Sequence, residues 1–509
     1  MMRLLLKKIF IVITATYSVL CAGQVVPLQT PLEAARYARI STSSEISGYL
    51  HALAGRYPML TRVELAGNSV QNRPIEVIRF SAPRRDDTVK RLTVMIAGSQ
   101  HGAAEPAGGE AMLMIARELA DGYLRPLLEE MDVILLPNAN PDGRDLGRRS
   151  NANRVNINTD FVLLTQPETR ALKEAVERYA PHVLLDSHES AVLKRESLAK
   201  DGYLTDFDAQ FEISNNPAVP AALRDYALNI FLPALTARVS DGGLPARRYI
   251  GEITSIQQPV TNGGLTLRNF RNAAAMTGVL SLLVETKLDS REAVHPTYRN
   301  IAQRVARQLL CLHSLLTLAH ERRAEILAQT ALARTMLHQE PLTLYAGYAL
   351  NPAQPQKSIV MRRLDTGELE PRVFRDHRLQ INADAAAFPR MLVITRHQDV
   401  IRSVLERHRI NYRRLPHPSE QQVTAMRVNV PANSLVRAGL LAETQKTLTI
   451  DRGSLLIDLL QPNGRTAALL LDPRSISSIF RYPEYARLVE PEEEFFIYRT
   501  FEEVLVSQP

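Results

Sequence analysis

The chain is poor in cysteine, with two in 509 residues. Cys21 falls at the end of an N-terminal leader, so Cys311 stands alone in the mature chain and no intrachain disulfide can form. Cys311 lies in VARQLLCLHSLL, a helical pattern, where a small thiol is expected to pack in the core. Long apolar runs are also lacking. The longest begins at Ile9 and ends at Leu20, too short to span a bilayer comfortably, and no later stretch qualifies as a transmembrane helix. Clustered positive charge is missing as well. The net charge is +7, and Arg3, Lys7 and Lys8 of the leader supply three of those positives. Such a modest excess argues against a nucleic-acid partner. No repeat or low-complexity tract is visible, which excludes a solenoid or a disordered tail.

What is present begins with MMRLLLKKIFIVITATYSVLCAGQ. A basic start, an apolar stretch and small residues at Cys21, Ala22 and Gly23 read as a secretory signal peptide over residues 1–23. Val19 and Leu20 fit a lipoprotein cleavage site poorly. The mature protein is therefore expected to be exported without stable membrane insertion, and a signal without disulfides suits a bacterial periplasm.

Ser43-Ser44-Glu45 opens an amphipathic helix that Gly55 should end. TRVELAGNSVQNRPIEVIRFS then reads as two strands around a turn at Gly67 to Arg73. Four nearly continuous apolar runs follow: RLTVMIAGS, MDVILLPN, HVLLDSHE and VLSLLVETK. Strands buried on both faces read this way. GGEAMLMIARELADG and PETRALKEAVERYA separate the first three as helices. The pattern predicts an α/β fold with a mixed, largely parallel sheet sandwiched by helices. Residues 297–336 read as helical. Past Pro341 the texture changes to short β-like runs (PRMLVITR, QQVTAMRVNV, SLLIDLLQP, RTAALLLDP). The expected organisation is a catalytic domain over 30–336 and a smaller α+β domain of unknown role over 340–509.

Each of the four strands ends in polar chemistry: His101 and Glu105, then PNANPDGR, then Asp186, His188 and Glu189, then Glu285. Sites in open α/β sheets form at the carboxyl ends of strands, so four such ends suggest one convergent site. Catalytic zinc takes three protein ligands and leaves one position open. His101 and Glu105 could supply a near pair and His188 the third. Pro106 disfavours helix at Glu105 and instead starts the helix that follows. Glu105 therefore sits in a loop that can adjust its spacing. Incidental polar residues of a surface loop are the competing explanation for that pair.

Five segments, in order, resemble the zinc metallocarboxypeptidase family, the carboxypeptidase A-like peptidases. They are GNSVQNRPI, QHGAAEPAGGEA, NPDGRDLGRRSNANRVNINTDF, LLDSHE and SLLVET. The resemblance runs from about Ile46 to Lys287. It implies zinc bound by His101, Glu105 and His188, with Glu285 as general base. It further implies Arg149 as the group polarising the scissile carbonyl and Asn158 as a contact to the substrate's terminal carboxylate.

Three positions depart from the family pattern. One extra alanine separates His101 from Glu105. Thr159 replaces the arginine that clamps the terminal carboxylate, leaving Arg271 and Arg268 as candidate substitutes; a threonine cannot form a bidentate ion pair. Asn156 replaces an aspartate that orients a zinc histidine. Tyr249 is the nearest candidate for the family's substrate tyrosine, without a motif to support it. The expected activity is hydrolysis of a peptide bond at or near a C-terminus, on a peptide or cell-wall peptide. The alternatives are a deacylase or murein-peptide amidase on the same fold, or a non-catalytic binding protein on a degenerate one. Oligomeric state is not legible.

Overall fold

The computed structural model describes residues 28–83, 90–190, 195–205, 207–288, 300–429, 438–490 and 493–504. The leader, residues 1–23, lies outside these. Among the described residues no helix is long and apolar enough to cross a membrane.

Helix α1 (Ser43–Arg56) starts from a reciprocal cap between Thr42 and Glu45, as the acidic residue at its third position requires. It continues one residue past Gly55. Strands β1 (Thr61–Asn68) and β2 (Pro74–Phe80) form the expected hairpin. The four apolar runs become β3 (Leu92–Gly98), β4 (Met131–Leu136), β5 (Val183–Ser190) and, later in the chain, a strand at Leu280–Lys287. Between the last two come β6 (Tyr203–Thr205), β7 (Ala209–Ile213) and β8 (Ala246–Arg248), so Leu280–Lys287 is β9. The main sheet runs in the order β1-β2-β4-β3-β5-β9-β7-β8. The interior pairs β4/β3, β3/β5 and β5/β9 are parallel, and β1/β2, β2/β4 and β9/β7 are antiparallel.

Apolar side chains leave both faces of this sheet. Val94, Ile96, Val133, Leu185 and Val284 pack with α2 (Ala107–Asp121) and, further along, the helix Ile301–Glu321. Met95, Ala97, Ile134 and Leu184 pack on the other face with α3 (Pro167–Tyr179) and the short helix α4 (Phe270–Ala275). Helix α5 is then Ile301–Glu321, and α6 is Arg323–Met336. Cys311 is fully buried in α5, and burial pushes its thiol pKa up.

Beyond α6 come β10 (Leu342–Ala349), β11 (Gln356–Arg363), β12 (Leu369–Arg375) and β13 (Leu379–Ala386). A six-stranded sheet follows that includes Met391–Ile394, Ser419–Asn429 and Leu455–Asp458. The run RTAALLLDP was expected to be β-like, but Gly464–Leu471 is helical. Every residue of this helix is buried, so it shows no amphipathic stripe, and a short continuous apolar run does not distinguish helix from strand. One hydrophobic core runs through both parts of the chain, joining Val94 and Leu282 to Leu344, Leu392 and Ile457. Strand β11 also pairs with β6.

Candidate metal and substrate site

The carboxyl ends of β3, β5 and β9 are aligned: Gly98 stands opposite Ser187, and His188 opposite Glu285. Residues directly opposite share a sheet face, so His188 and Glu285 project to the same side. Gln210 of β7 stands opposite Glu285 from the other side.

After β3 the chain turns sharply. Ser99 (φ 57°) and Gly102 (φ 50°) both adopt left-handed conformations. Gly102 N donates to Ser99 O at 2.9 Å, and Ala104 N donates to His101 O at 2.9 Å. A side chain on Gly102 would meet Gly143 C at 2.5 Å and Arg148 O at 2.6 Å. The extra alanine is taken up in this turn, and α2 begins after Pro106. Both His101 and Glu105 end up 3% exposed, facing inward.

The loop after β4 holds the turn in place. Asn140 caps its own short helix and donates to Gln100 O at 3.1 Å. Arg144 donates to Ser99 Oγ at 2.8 Å and pairs with buried Glu110 at 2.9 Å. Asp142, fully buried, accepts from Ser69 Oγ at 2.8 Å and from Arg73 at 2.7 Å. The GNSVQNRPI and NPDG segments thus bind one another.

His101, Glu105 and His188 converge, with one ligand atom of each lying within 4.8 Å of the others. His188 Nδ1 is 2.9 Å from Glu105 Oε2, and its Nε2 is 2.9 Å from Asp186 Oδ1. Asn158 Nδ2 lies 3.2 Å from that same Nε2, and Asn158 Oδ1 accepts from Phe270 N at 3.0 Å. The Arg149 guanidinium pairs with Glu105 Oε1. Burial alone would lower the pKa of His188, but Asp186 and Glu105 outweigh it and hold it well above the usual value. Burial alone would raise the pKa of Glu105, but His101, Arg149 and His188 outweigh that and hold it well below the usual range.

This donor set fits zinc. Two imidazoles and a carboxylate are common zinc ligands, and all three are buried. Asp186 on Nε2 is the outer carboxylate that such histidines ordinarily have, leaving Nδ1 directed at Glu105.

The other expected residues fall as follows. Glu285 is half-buried beside His188. Arg271, on α4, is 4% exposed. Thr159 Oγ donates to Asn156 O at 2.8 Å, so it serves its own turn. Asn156 accepts from Asn158 N at 3.1 Å; the carboxylate at a candidate ligand histidine is Asp186, two residues away on the same strand. Tyr249, set aside for want of a motif, lies in the field of both Glu285 and Arg271, and burial followed by the Glu285 charge raises its hydroxyl pKa.

Sequence reasoning missed the support from α5. Gln308, fully buried, donates to His188 O at 2.7 Å and Thr286 Oγ at 2.9 Å, and accepts from Ser187 Oγ at 2.9 Å. Arg304 pairs with Glu189 at 2.6 and 3.0 Å. Polar residues on the buried face of an otherwise apolar helix were the available signal.

Residues 46–191 match the model of the zinc carboxypeptidase family. Carboxypeptidase 2 of Trichophyton rubrum is 27% identical over 249 residues, covering 48% of this chain and 46% of that protein. Carboxypeptidase D of Mus musculus is 33% identical over 151 residues, covering 27% of this chain and 11% of that one. The chain thus spans about half the length of the first of these relatives, or less. A metallo-carboxypeptidase from Burkholderia cenocepacia superposes with TM-score 0.41 at 17% identity, covering 55% of this chain and 70% of that one. Carboxypeptidase A from Helicoverpa armigera gives TM-score 0.43 at 17% identity, covering 56% and 75%.

Proposed function

This chain belongs to the zinc carboxypeptidase family through residues 46–191, and from that premise we propose that it is an exported zinc-dependent peptidase cutting a peptide bond at or near a C-terminus. The leader would occupy 1–23, the catalytic unit 30–336 and a second unit 340–509, with the periplasm as the site of action. The observation that carries the reading is the pairing of His188 with Asp186 on one ring nitrogen and Glu105 on the other, beside Glu285 on the next strand.

His101, Glu105 and His188 would hold zinc, which supplies a Lewis acid and a water acidified to a pKa near ~7. Glu285 takes the proton from the attacking water and delivers it to the leaving amine. Arg149, on the exposed side of Glu105, neutralises charge growing on the carbonyl oxygen. Asn158 holds His188 and the start of α4 together, so its support for the substrate carboxylate is indirect. Arg271 takes the clamp role that Thr159 leaves. It is a buried cation, and a buried charge calls for a partner.

Thr159 keeps a second reading alive, a deacylase or murein-peptide amidase on the same fold. It predicts activity on modified peptides and none on free C-termini. The third reading, a non-catalytic binder, predicts no turnover at all.

The test measures zinc content and turnover of N-acylated dipeptides. The mature protein should hold about one zinc per chain, lost in His188→Ala. Glu285→Gln should keep the metal and lose turnover. A fully active Glu285→Gln variant would refute both enzymatic readings.

A further inference from the structure

Where the C-terminal region packs on α3, a lysine and an asparagine side chain meet over one carboxylate. Lys173 and Glu177 lie four apart on α3, so they share a helix face. Asn463 comes from the C-terminal region, at the start of the helix Gly464–Leu471. Lys173 Nζ lies 3.2 Å from Asn463 Oδ1. Glu177 Oε1 accepts from Lys173 Nζ and, at 2.8 Å, from Asn463 Nδ2. Arg409 Nε holds the other oxygen of Glu177 at 3.2 Å, which leaves Oε1 to the two nitrogens. His408 O at 3.2 Å and Arg409 O at 3.4 Å also accept from Asn463 Nδ2 and fix the amide.

Asn463 does not do the ordinary work of its position. An asparagine at a helix N-cap usually accepts from a backbone amide of the first turn. Asn463 makes no such bond, and its side chain turns to Lys173 and Glu177 instead.

The surroundings suit a reaction between amine and amide. The Lys173 side chain is 16% exposed and Asn463 8%. Burial lowers the Lys173 pKa against the opposing pull of Glu177, which makes the neutral, nucleophilic amine easier to reach. Phe161, Leu267, Phe270 and Ala274 help to line a cavity of about 30 Å³ that borders all three groups. Such a space accepts one water-sized molecule, the size of ammonia.

We propose that Lys173 and Asn463 join in an intrachain isopeptide bond, with Glu177 as the catalytic residue that carries the proton. The Nζ lone pair of neutral Lys173 attacks Asn463 Cγ and forms the new C–N bond. Glu177 Oε1 takes a proton from Nζ and passes it to Nδ2. The Cγ–Nδ2 bond breaks with its electron pair going to nitrogen, and ammonia departs. Amine and primary amide thus become a secondary amide and ammonia, with no oxidant and no cofactor. Holding the two groups in contact supplies the proximity that this slow exchange needs. The bond ties α3 to the helix Gly464–Leu471. Like a disulfide, it constrains the unfolded chain by closing a loop, here spanning 290 residues. It also removes the Lys173 charge beside His408, where burial remains the larger cause of the low imidazole pKa.

The experiment denatures the full chain, digests it with trypsin and weighs the peptides. Trypsin does not cut after an acylated lysine, so residues 171–178 should stay whole and appear joined to residues 453–465. The joined species should be lighter than the two peptides together by one ammonia, about 17 Da. Lys173→Arg and Glu177→Gln should each release residues 453–465 alone and at full mass, with the circular dichroism of Glu177→Gln unchanged. Separate peptides from the wild-type chain would overturn the proposal. So would residues 453–465 lighter by one ammonia but unjoined, because Asn463 would then have closed on the Gly464 backbone as a succinimide. A joined species in Glu177→Gln would overturn the role given to Glu177.

Discussion

Arg465 offers the sharpest test of how the two parts of the chain hold together. It is 1% exposed, and among the described residues no carboxylate lies within ion-pair distance of it. Its Nε donates to Ala218 O at 2.8 Å, Nη1 to Leu337 O at 2.8 Å and Glu340 O at 3.0 Å, and Nη2 to Pro341 O at 3.0 Å. One side chain therefore closes four carbonyls, on the loop after β7 and on the link between α6 and β10. Burial lowers its pKa to about 10, so it stays charged at neutral pH. Arg465→Met keeps volume and removes every donor. Each orphaned carbonyl costs about 1–3 kcal/mol, partly recovered by local relaxation, so the loss should be about 3–6 kcal/mol. That is a large share of the 5–15 kcal/mol typical of a folded protein. The chain has no tryptophan, so urea unfolding is best followed by far-ultraviolet circular dichroism. Arg465→Lys, with three donors on a shorter reach, should fall between the two. A loss below about 1 kcal/mol in Arg465→Met would refute the claim that these four contacts hold the junction.

Three further outcomes follow from named contacts. His408, 1% exposed, donates from Nε2 to Val162 O at 2.9 Å, and burial, followed by the Lys173 charge, pushes its pKa down to about 3. The folded chain refuses a proton that the unfolded chain accepts below about 6.5, so its contribution is full above that pH and fades towards pH 3. Urea titrations from pH 7 to 4 should give wild type an extra slope of a little over 1 kcal/mol per pH unit relative to His408→Gln; parallel curves would refute it. Asp186→Asn removes the carboxylate from His188 Nε2 and should weaken zinc binding about 10–100-fold in chelator competition; unchanged affinity would show that Asp186 does not orient the ring. Gly102→Ala forces a methyl group against the Gly143 and Arg148 backbone at a left-handed position. It should cost at least about 1 kcal/mol in stability and lower zinc affinity with it; a variant equal to wild type in both would show that the turn does not set the spacing.

How legible the molecule was depended on how local each signal is. The parallel strands β3, β4, β5 and β9 are buried on both faces, and each was readable as an apolar run ending in a polar residue. Their order in the sheet was not, because β9 reaches β5 only after a long excursion. The triad of His101, Glu105 and His188 was readable because motif and chemistry coincided. Asp186 as the carboxylate beside His188 was not, because the family position for that carboxylate falls on Asn156 and no local pattern says where a strand acid points. Strands β10 to β13 were missed because most of their residues are half-exposed or exposed, which weakens the apolar alternation by which strands are recognised. Gln308 acts only across 120 residues of chain, a distance at which a single sequence carries no pairing signal.

The contacts also divide the motifs by purpose. Ser69 and Arg73 meet Asp142, Asn140 meets the backbone before His101, and Arg144 meets Ser99 and Glu110. None of these side chains belongs to the ligand cluster, yet together they fix both ends of the turn that carries it. With Ser99 held at one end and the start of α2 at the other, the turn between has its limits set from outside. An added alanine then changes the path between fixed points rather than the points themselves. On this account the family signature around the NPDG segment is chiefly scaffolding for two loops, and the tolerance for a longer His101-to-Glu105 spacing comes from that scaffolding, not from any slack in the ligands.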